Sequence, residues 1–288
     1  GRSDIFMREE AARQNEVTTV RLTEEINWES IDRKENALHI EIGQSSIIGT
    51  RSYQQDALFV AKYENGMTLA VICDGMGGLN GGELASNTAV KMLVNDFKSV
   101  NDFSEVPIFL EREVVRLDEC VADLEDEYGN ALGGGCTLVC VVTKGNGMYF
   151  ISAGDSRIYI VRDNDIQAIN RDHNFRLQLD TMLRNGQITE KEYEMQENQA
   201  EALISYLGMG NISLTDSNTE PFYLEENDLI LLCSDGLYKR LSNEQILDIV
   251  LDNQNSMQVI AERLNKVVMQ LTQRNQDNTS VILLRYGR

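Results

Sequence analysis

The stretch Asp56–Asp74, DALFVAKYENGMTLAVICD, carries two short apolar runs, Ala57–Tyr63 and Thr68–Cys73, around Asn65-Gly66. Asn-Gly between apolar runs is a strong hairpin signal, because a type I′ turn needs positive φ at both central residues. The expectation is a β-hairpin with an aspartate at each open end. Asp56 immediately precedes the first strand and Asp74 immediately follows the second. Antiparallel pairing then sets Asp56 opposite the Asp74–Gly75 end.

Outward from this hairpin the pattern recurs. Upstream, Leu38, Ile40 and Ile42 alternate with His39 and Glu41, as in a half-buried strand. Downstream, Cys136–Thr143 turns through Gly145-Asn146-Gly147 into Met148–Ala153, and Arg157–Val161 turns at Asp163-Asn164-Asp165 into Ile166–Ile169. Helical spacing shows in three stripes: Leu84, Thr88, Met92 and Leu93; Leu110, Val114, Leu117, Val121 and Leu124; and Met257, Ala261, Leu264, Val268 and Leu271. The third runs on to a strand over Ser280–Leu284, and all three are read as core packing. Hairpin-linked strands with helices between the blocks predict an α+β fold with antiparallel sheets rather than βαβ units. Residues 1–35 are polar, contain the only Trp (Trp28), and are read as an N-terminal extension, leaving 36–288 as the folded domain. The chain opens on Gly1 rather than Met, which reads as a processed or trimmed start, with residues 1–6 open to being foreign to the native protein.

Composition narrows the function classes. The 288 residues contain 26 Lys and Arg against 46 Asp and Glu, a net charge of −20 with a pI near 4.5. Such a surface is repelled by nucleic acid and by anionic membranes, and favours cations, metal ions or basic proteins. No apolar run approaches the roughly 20 residues that a membrane helix requires. The 5 Cys show no CxxC pairing, and Cys136 and Cys140 lie in an apolar run as buried thiols. That usage suggests a reducing compartment, most simply cytoplasm. There is no GxxxxGK[ST], no GxGxxG and no GxSxG, so phosphate loops, dinucleotide folds and hydrolase elbows are unsupported.

The acids fall at strand ends. Besides Asp56 and Asp74, Asp155 follows the strand ending at Ala153, Asp235 follows the run Leu229–Cys233, and Asp277 precedes the last strand. Crowded carboxylates repel one another, and a hard divalent ion such as Mn²⁺ or Mg²⁺ resolves the repulsion. A single Asp there would be a turn or cap residue; several converging on one rim favour a metal site. With only His39 and His173 in the chain, a His-rich zinc site is poorly supported.

Eight fragments, in order over roughly 38–285, then become specific: Arg51-Ser-Tyr-Gln-Gln-Asp56, Val71-Ile-Cys-Asp74-Gly-Met-Gly-Gly78, Gly134-Gly-Cys-Thr137, Gly154-Asp-Ser-Arg157, Arg171-Asp-His173, Ile204-Ser-Tyr-Leu-Gly208, Cys233-Ser-Asp-Gly-Leu237 and Gln276-Asp-Asn-Thr-Ser-Val281. The chain resembles the bacterial form of the metal-dependent serine/threonine protein phosphatases, the PPM or type-2C family. The resemblance implies a four-layer α/β/β/α sandwich over 36–288, two antiparallel sheets between helices with metals at one end. It also implies hydrolysis of phosphoserine and phosphothreonine by a hydroxide bridging two tight Mn²⁺ or Mg²⁺ ions, with no phosphoenzyme. Carried over by position, Asp74 is the bridging carboxylate, the Gly75 carbonyl helps hold one metal, Asp235 and Asp277 ligate the other, and Asp56 supports the cluster. Arg51 binds phosphate, and Asp155 with Asp235 holds a weaker third ion. Partners would be phosphoproteins, the substrates of a serine/threonine kinase, with no nucleic acid and no membrane insertion.

The chain departs from the family pattern at several points. Gln55 stands where many members have a ligating Glu, implying a more hydrated second metal. Met76 stands where eukaryotic members have a proposed general-acid His. Cys136, Asn170 and Ser205 replace common residues of structural motifs, and His173 is read as structural. Segment Phe175–Ala200 corresponds to the variable flap that shapes substrate choice. The alternative reading is a pseudophosphatase, a regulatory binding module on the same fold. Its signature would be lost acids, and none of the five is missing. A binuclear nuclease is disfavoured by the charge.

Overall fold

The computed structural model describes residues 39–78 and 80–287. The extension expected over 1–35, Trp28, and Leu38 of the first strand pattern lie outside the described residues. One sheet has the order β1 (His39–Ile47), β12 (Thr279–Gly287), β11 (Leu229–Cys233), β7 (Arg157–Arg162), β8 (Asp165–Ala168). The other runs β10 (Phe222–Tyr223), β6 (Gly147–Ala153), β5 (Leu138–Lys144), β3 (Met67–Met76), β2 (Asp56–Lys62), with β4 (Gly135–Cys136) on β3 and β9 (Asp216–Ser217) on β6. Each pair is antiparallel.

The period of two along β3 explains the layering. Ala70 and Ile72 point into a core shared with Ile158, Ile160, Ile230, Leu232, Ile282 and Leu284 of the facing sheet. Leu69, Val71 and Cys73 point the other way, into a core with helices α1 (Gly81–Asp96) and α2 (Val106–Ala122). A third core lies between the far face of the first sheet and the helices α6 (Asn243–Val250) and α7 (Met257–Leu271). Three apolar cores separate four layers, the expected α/β/β/α sandwich. All five Cys are free thiols, and Cys136 and Cys140 are fully buried. Among the described residues no helix is long and apolar enough to cross a membrane.

Local details differ from expectation at three places. The Asn65-Gly66 turn is not type I′: only Gly66 has positive φ (87°), Gly66 N–H donates to Tyr63 O at 2.9 Å, and Met67 N–H donates to Asn65 Oδ1 at 3.0 Å. That is the three-residue loop in which a left-handed glycine follows a type I turn. The paired positive φ values appear instead at Asp163 (51°) and Asn164 (63°), which close the β7–β8 hairpin. In α1 the buried face is Ala85, Ala89, Val90, Leu93 and Val94; of the expected stripe Leu93 is buried and Met92 packs against the core, while Leu84 is exposed. The second and third stripes are buried as far as Val121 and Val268, but Leu124 lies beyond α2 and Leu271 is exposed at the end of α7.

The α2 stripe also buries a carboxyl. Glu113 is 4% exposed, hydrogen-bonds Asp96 of α1, and is pushed up to about 9 by burial and by the neighbouring Asp96 charge. Arg116 Nε holds Asp96 Oδ2 at 2.8 Å, completing a neutral acid–carboxylate–guanidinium chain between the helices. The folded state keeps this proton where the unfolded chain, with a carboxyl near 4.3, releases it. Its stabilisation is therefore full below that value and is lost as pH rises towards 9. Urea unfolding at pH 6 and pH 8 should show the wild type losing more stability than Glu113→Gln, by up to about 1.4 kcal/mol per pH unit for one proton. Equal losses in both proteins would refute the buried neutral carboxyl.

Candidate active site

The β2–β3 register places Asp56 directly opposite Asp74. On the other flank, Thr137 N–H donates to Asp74 O (2.9 Å) and Asp74 N–H donates to Thr137 Oγ1 (3.0 Å), so Asp74 is clamped from both sides. This clamp interrupts the strand expected over Cys136–Thr143, which splits into β4 and β5 at Thr137. Gly75 N–H donates to Gln55 O at 2.9 Å, and a Cβ on Gly75 would collide with the Gly82 carbonyl, so only glycine lets the chain pass the start of α1.

The facing sheet supplies the rest. Asp56 Oδ2 accepts from Ser234 Oγ at 3.1 Å and from Ser280 Oγ at 2.8 Å, linking the two sheets through one carboxylate. Asp235 opens the short helix α5 (Asp235–Tyr238), and Asp277 precedes β12 with Asn278 N–H donating to its Oδ1 at 2.8 Å. Asn278 ties down the Arg51 loop: its Nδ2 donates to Ile48 O (2.8 Å) and Tyr53 O (3.0 Å), and its Oδ1 accepts from Gln55 N–H (2.9 Å). Asp155 follows Gly154, whose φ of 106° is a left-handed conformation that suits glycine, at the end of β6. His173 accepts Gly154 N–H at Nδ1 (3.0 Å) and lies 3.1 Å from Asp216 Oδ1 through Nε2, fully buried; it is a structural brace, as expected.

All five aspartates are brought together. Burial raises Asp74 well above the usual carboxylate range, and the charges of Asp56, Asp235 and Asp155 add to it. Burial pushes Asp56 up to about 6 against the opposing Ser280 hydrogen bond. Asp155 is pushed up to about 7 by burial and by Asp235, and Asp277 is raised by burial and by Asp235. Asp56 Oδ1 and Asp235 Oδ1 are buried with no hydrogen-bond partner. Buried carboxylate oxygens left without donors are costly, and a multivalent cation satisfies several at once. The donor set therefore fits a hard divalent metal.

Two native cations draw acids aside. Arg51 Nε lies 3.5 Å from Asp277 Oδ1, and Lys239 Nζ lies 2.7 Å from Asp235 Oδ2. Among the described residues no three His, Cys, Asp or Glu side chains close around one point, so the acids are mutual neighbours without forming a finished cage. Arg51, exposed, borders a cavity of about 440 Å³ with Tyr53, Gln55 and Asn278. A second cavity of about 250 Å³ is bordered by Asp155, Tyr238 and Lys239 and by Arg176 and Asp180 of the segment expected as a flap. That segment folds as α3 (Phe175–Arg184) and α4 (Glu190–Met195), with Gly186 at φ 71° between them.

A family model described as Protein phosphatase 2C matches residues 43–274. The chain belongs to the protein phosphatase 2C family. Protein phosphatase PhpP of Streptococcus pneumoniae is 30% identical over 224 residues, 75% of this chain and 84% of that protein. The solved serine/threonine phosphatase of S. agalactiae superposes with a TM-score of 0.73 at 27% identity, covering 87% of this chain and 100% of that one. The catalytic domain of the phosphatase PstP, solved in complex with 2 manganese ions, has the same fold, with a TM-score of 0.67 at 24% identity over 87% of this chain and 100% of that one. This protein phosphatase 2C chain is accordingly a serine/threonine protein phosphatase, a hydrolase.

Sequence reading missed several residues that shape this phosphatase site. Ser234, Ser280, Thr137 and Asn278 stood inside the quoted motifs without a role, because their partners lie far along the chain. Lys239 had a local signal, its i,i+4 spacing from Asp235. Gln55, at the position of the family's Glu, donates through Nε2 to Gly77 O at 2.9 Å.

Proposed function

We propose that residues 36–288 form a phosphatase domain whose acid cluster binds two tight Mn²⁺ or Mg²⁺ ions and hydrolyses phosphoserine and phosphothreonine by direct water attack. The observation that carries this reading is the meeting of five strand-end aspartates at one rim, with two buried carboxylate oxygens lacking donors. Asp74 and the Gly75 carbonyl would hold one ion, Asp235 and Asp277 the other, and Asp56 would steady the cluster from across the hairpin. Asp155 and Asp235 would share a weaker third ion. Bound divalent ions supply a neutral-pH nucleophile and neutralise charge on the phosphoryl group. Ser234 and Ser280 keep Asp56 oriented, and the Thr137 clamp keeps Asp74 from turning away. Arg51, exposed and 3.5 Å from Asp277, would bind the phosphate, its planar guanidinium being suited to grip two oxygens. Met76 offers no proton, so the leaving oxygen must be protonated from elsewhere.

The substrates would be phosphoproteins made by a serine/threonine kinase, met in the cytoplasm, with α3 and α4 shaping the choice between them. All five acids are present, which disfavours the pseudophosphatase alternative. The test is phosphopeptide hydrolysis with Mn²⁺, with and without chelator, beside a DNA control. Hydrolysis that ignores the chelator, or cleavage of DNA, would overturn the reading. Within that assay Arg51→Ala should raise KM about tenfold with a smaller loss in kcat, since it removes one charge-assisted contact. An unchanged KM would contradict the role of Arg51.

A further inference from the structure

Lys239 stands one residue beyond α5, and its position is fixed from below. Its neighbour Tyr238 donates through its hydroxyl to the Asp155 backbone carbonyl at 2.6 Å. The Tyr238 ring lies 3.5 Å from the Arg157 guanidinium, which Asp172 grips with both oxygens at 2.9 and 2.7 Å. The lysine stem therefore starts from a rigid platform attached to Asp155 itself. From there Nζ reaches Asp235 Oδ2 at 2.7 Å and Glu201 Oε2 at 3.5 Å, and its charge is felt at Asp155. Lys239 and Asp155 border the same cavity, and the other oxygen of Asp235 is buried and unpartnered. A single positive charge thus already occupies the edge of the cluster shared by Asp155 and Asp235.

We propose that Lys239 is a tethered cation that competes with the third ion for the Asp155–Asp235 edge of the metal cluster. An ammonium on a flexible four-carbon stem can yield to a divalent ion, whereas a bidentate guanidinium would be harder to displace. Glu201, 3.5 Å away, gives the displaced ammonium a second partner. Asp235 also belongs to one tight site, but Lys239 engages only its Oδ2; the unpartnered Oδ1 would stay with the tight ion, so the exchange falls on the third. The inference rests on the proposed cluster of two tight ions with a weaker third.

The test is equilibrium Mn²⁺ binding to the full chain, by calorimetry and by elemental counting at set free Mn²⁺. Wild type, Lys239→Met, Lys239→Gln, Lys239→Arg and Glu201→Gln are compared, with melting scans to check folding. All five proteins should hold two tight ions. The third ion should bind about tenfold more tightly to Lys239→Met and Lys239→Gln, the smallest effect typical of a charge within contact range. Lys239→Arg should bind it no more tightly than wild type, and Glu201→Gln should bind it more weakly, having lost the alternative perch. In EDTA, Lys239→Met should melt below wild type, and saturating Mn²⁺ should remove that gap. Third-ion affinity unchanged in both neutral variants would overturn the competition, whereas a count of two in every protein at every Mn²⁺ concentration would overturn the third ion of the proposed function and the competition with it. Failure of the wild type to hold two ions would instead overturn the two-ion reading beneath it.

Discussion

Asp74→Asn and Asp235→Asn are each expected to lower Mn²⁺-dependent kcat by about a thousandfold or more, at least the cost of deleting one transition-state electrostatic contact. Asparagine keeps the size of the side chain, so the loss isolates charge. Asp74 sits at the centre of the cluster, opposite Asp56 on one strand and clamped by Thr137 on the next. Asp235 opens α5 just after a strand of the other sheet and carries a buried oxygen with no hydrogen-bond partner. Neither substitution should unfold the protein. Asp74 is half-buried among like charges, and a neutral amide relieves that repulsion. Melting in EDTA should therefore leave Asp74→Asn at or above the wild-type midpoint. Steady-state rates on a phosphopeptide, paired with those melts, separate the cases, and activity within a few-fold of wild type in either variant would sink the metal assignment.

Removing the metal is expected to abolish turnover and to lower the melting temperature, increasingly so at higher pH. Ligand present at about 100 times Kd stabilises the folded state by roughly 2.7 kcal/mol, which in a domain of this size is about 5–11 °C. The pH dependence follows from the carboxyls. In the metal-free protein Asp56 and Asp155 are pushed up to about 6 and about 7, above the unfolded value near 3.9. Groups raised in this way stabilise the fold fully below about pH 4, and that contribution is lost as pH rises through 6 and 7. Bound divalent ions keep the same carboxylates ionised and paired, so the holo protein escapes the loss. Melting scans from pH 5.5 to pH 8, with EDTA or with millimolar Mn²⁺, should show the two curves diverging. Curves that stay parallel across that range would argue that the acids do not titrate as a metal-binding cluster.

What the sequence determined by itself is whatever depends on neighbours along the chain. The meeting of Asp56 with the Asp74–Gly75 end is one hairpin deep, and the three-residue loop then settles the register on Asp74. The free, buried Cys136 and Cys140 and the buried run of the α7 stripe from Met257 to Val268 follow from local apolar patterning in the same way. Local patterning gives way where a side chain intervenes. The Asn65 carboxamide accepts from Met67 N–H and steers its turn away from type I′. In α1 the close approach to the sheet selects small residues, Ala85 and Ala89, and turns the bulkier Leu84 outward.

The tertiary structure decided which groups the acids meet. Ser234 and Ser280 lie 178 and 224 residues from Asp56, on the opposite sheet, and no periodicity reports a contact across two packed sheets. Asn278 holding the Arg51 loop, 225 residues away at Tyr53, is of the same kind. The i,i+4 spacing of Asp235 and Lys239 was visible in the sequence, but its meaning was not. An exposed pair of that kind contributes a few tenths of a kcal/mol and little else. Here β6 brings Asp155 to the same edge and the cores bury one oxygen of Asp235, so the lysine becomes the resident cation of a crowded anionic site. Charge interactions depend on burial and on the third partner, and both are set only when the two sheets close on each other.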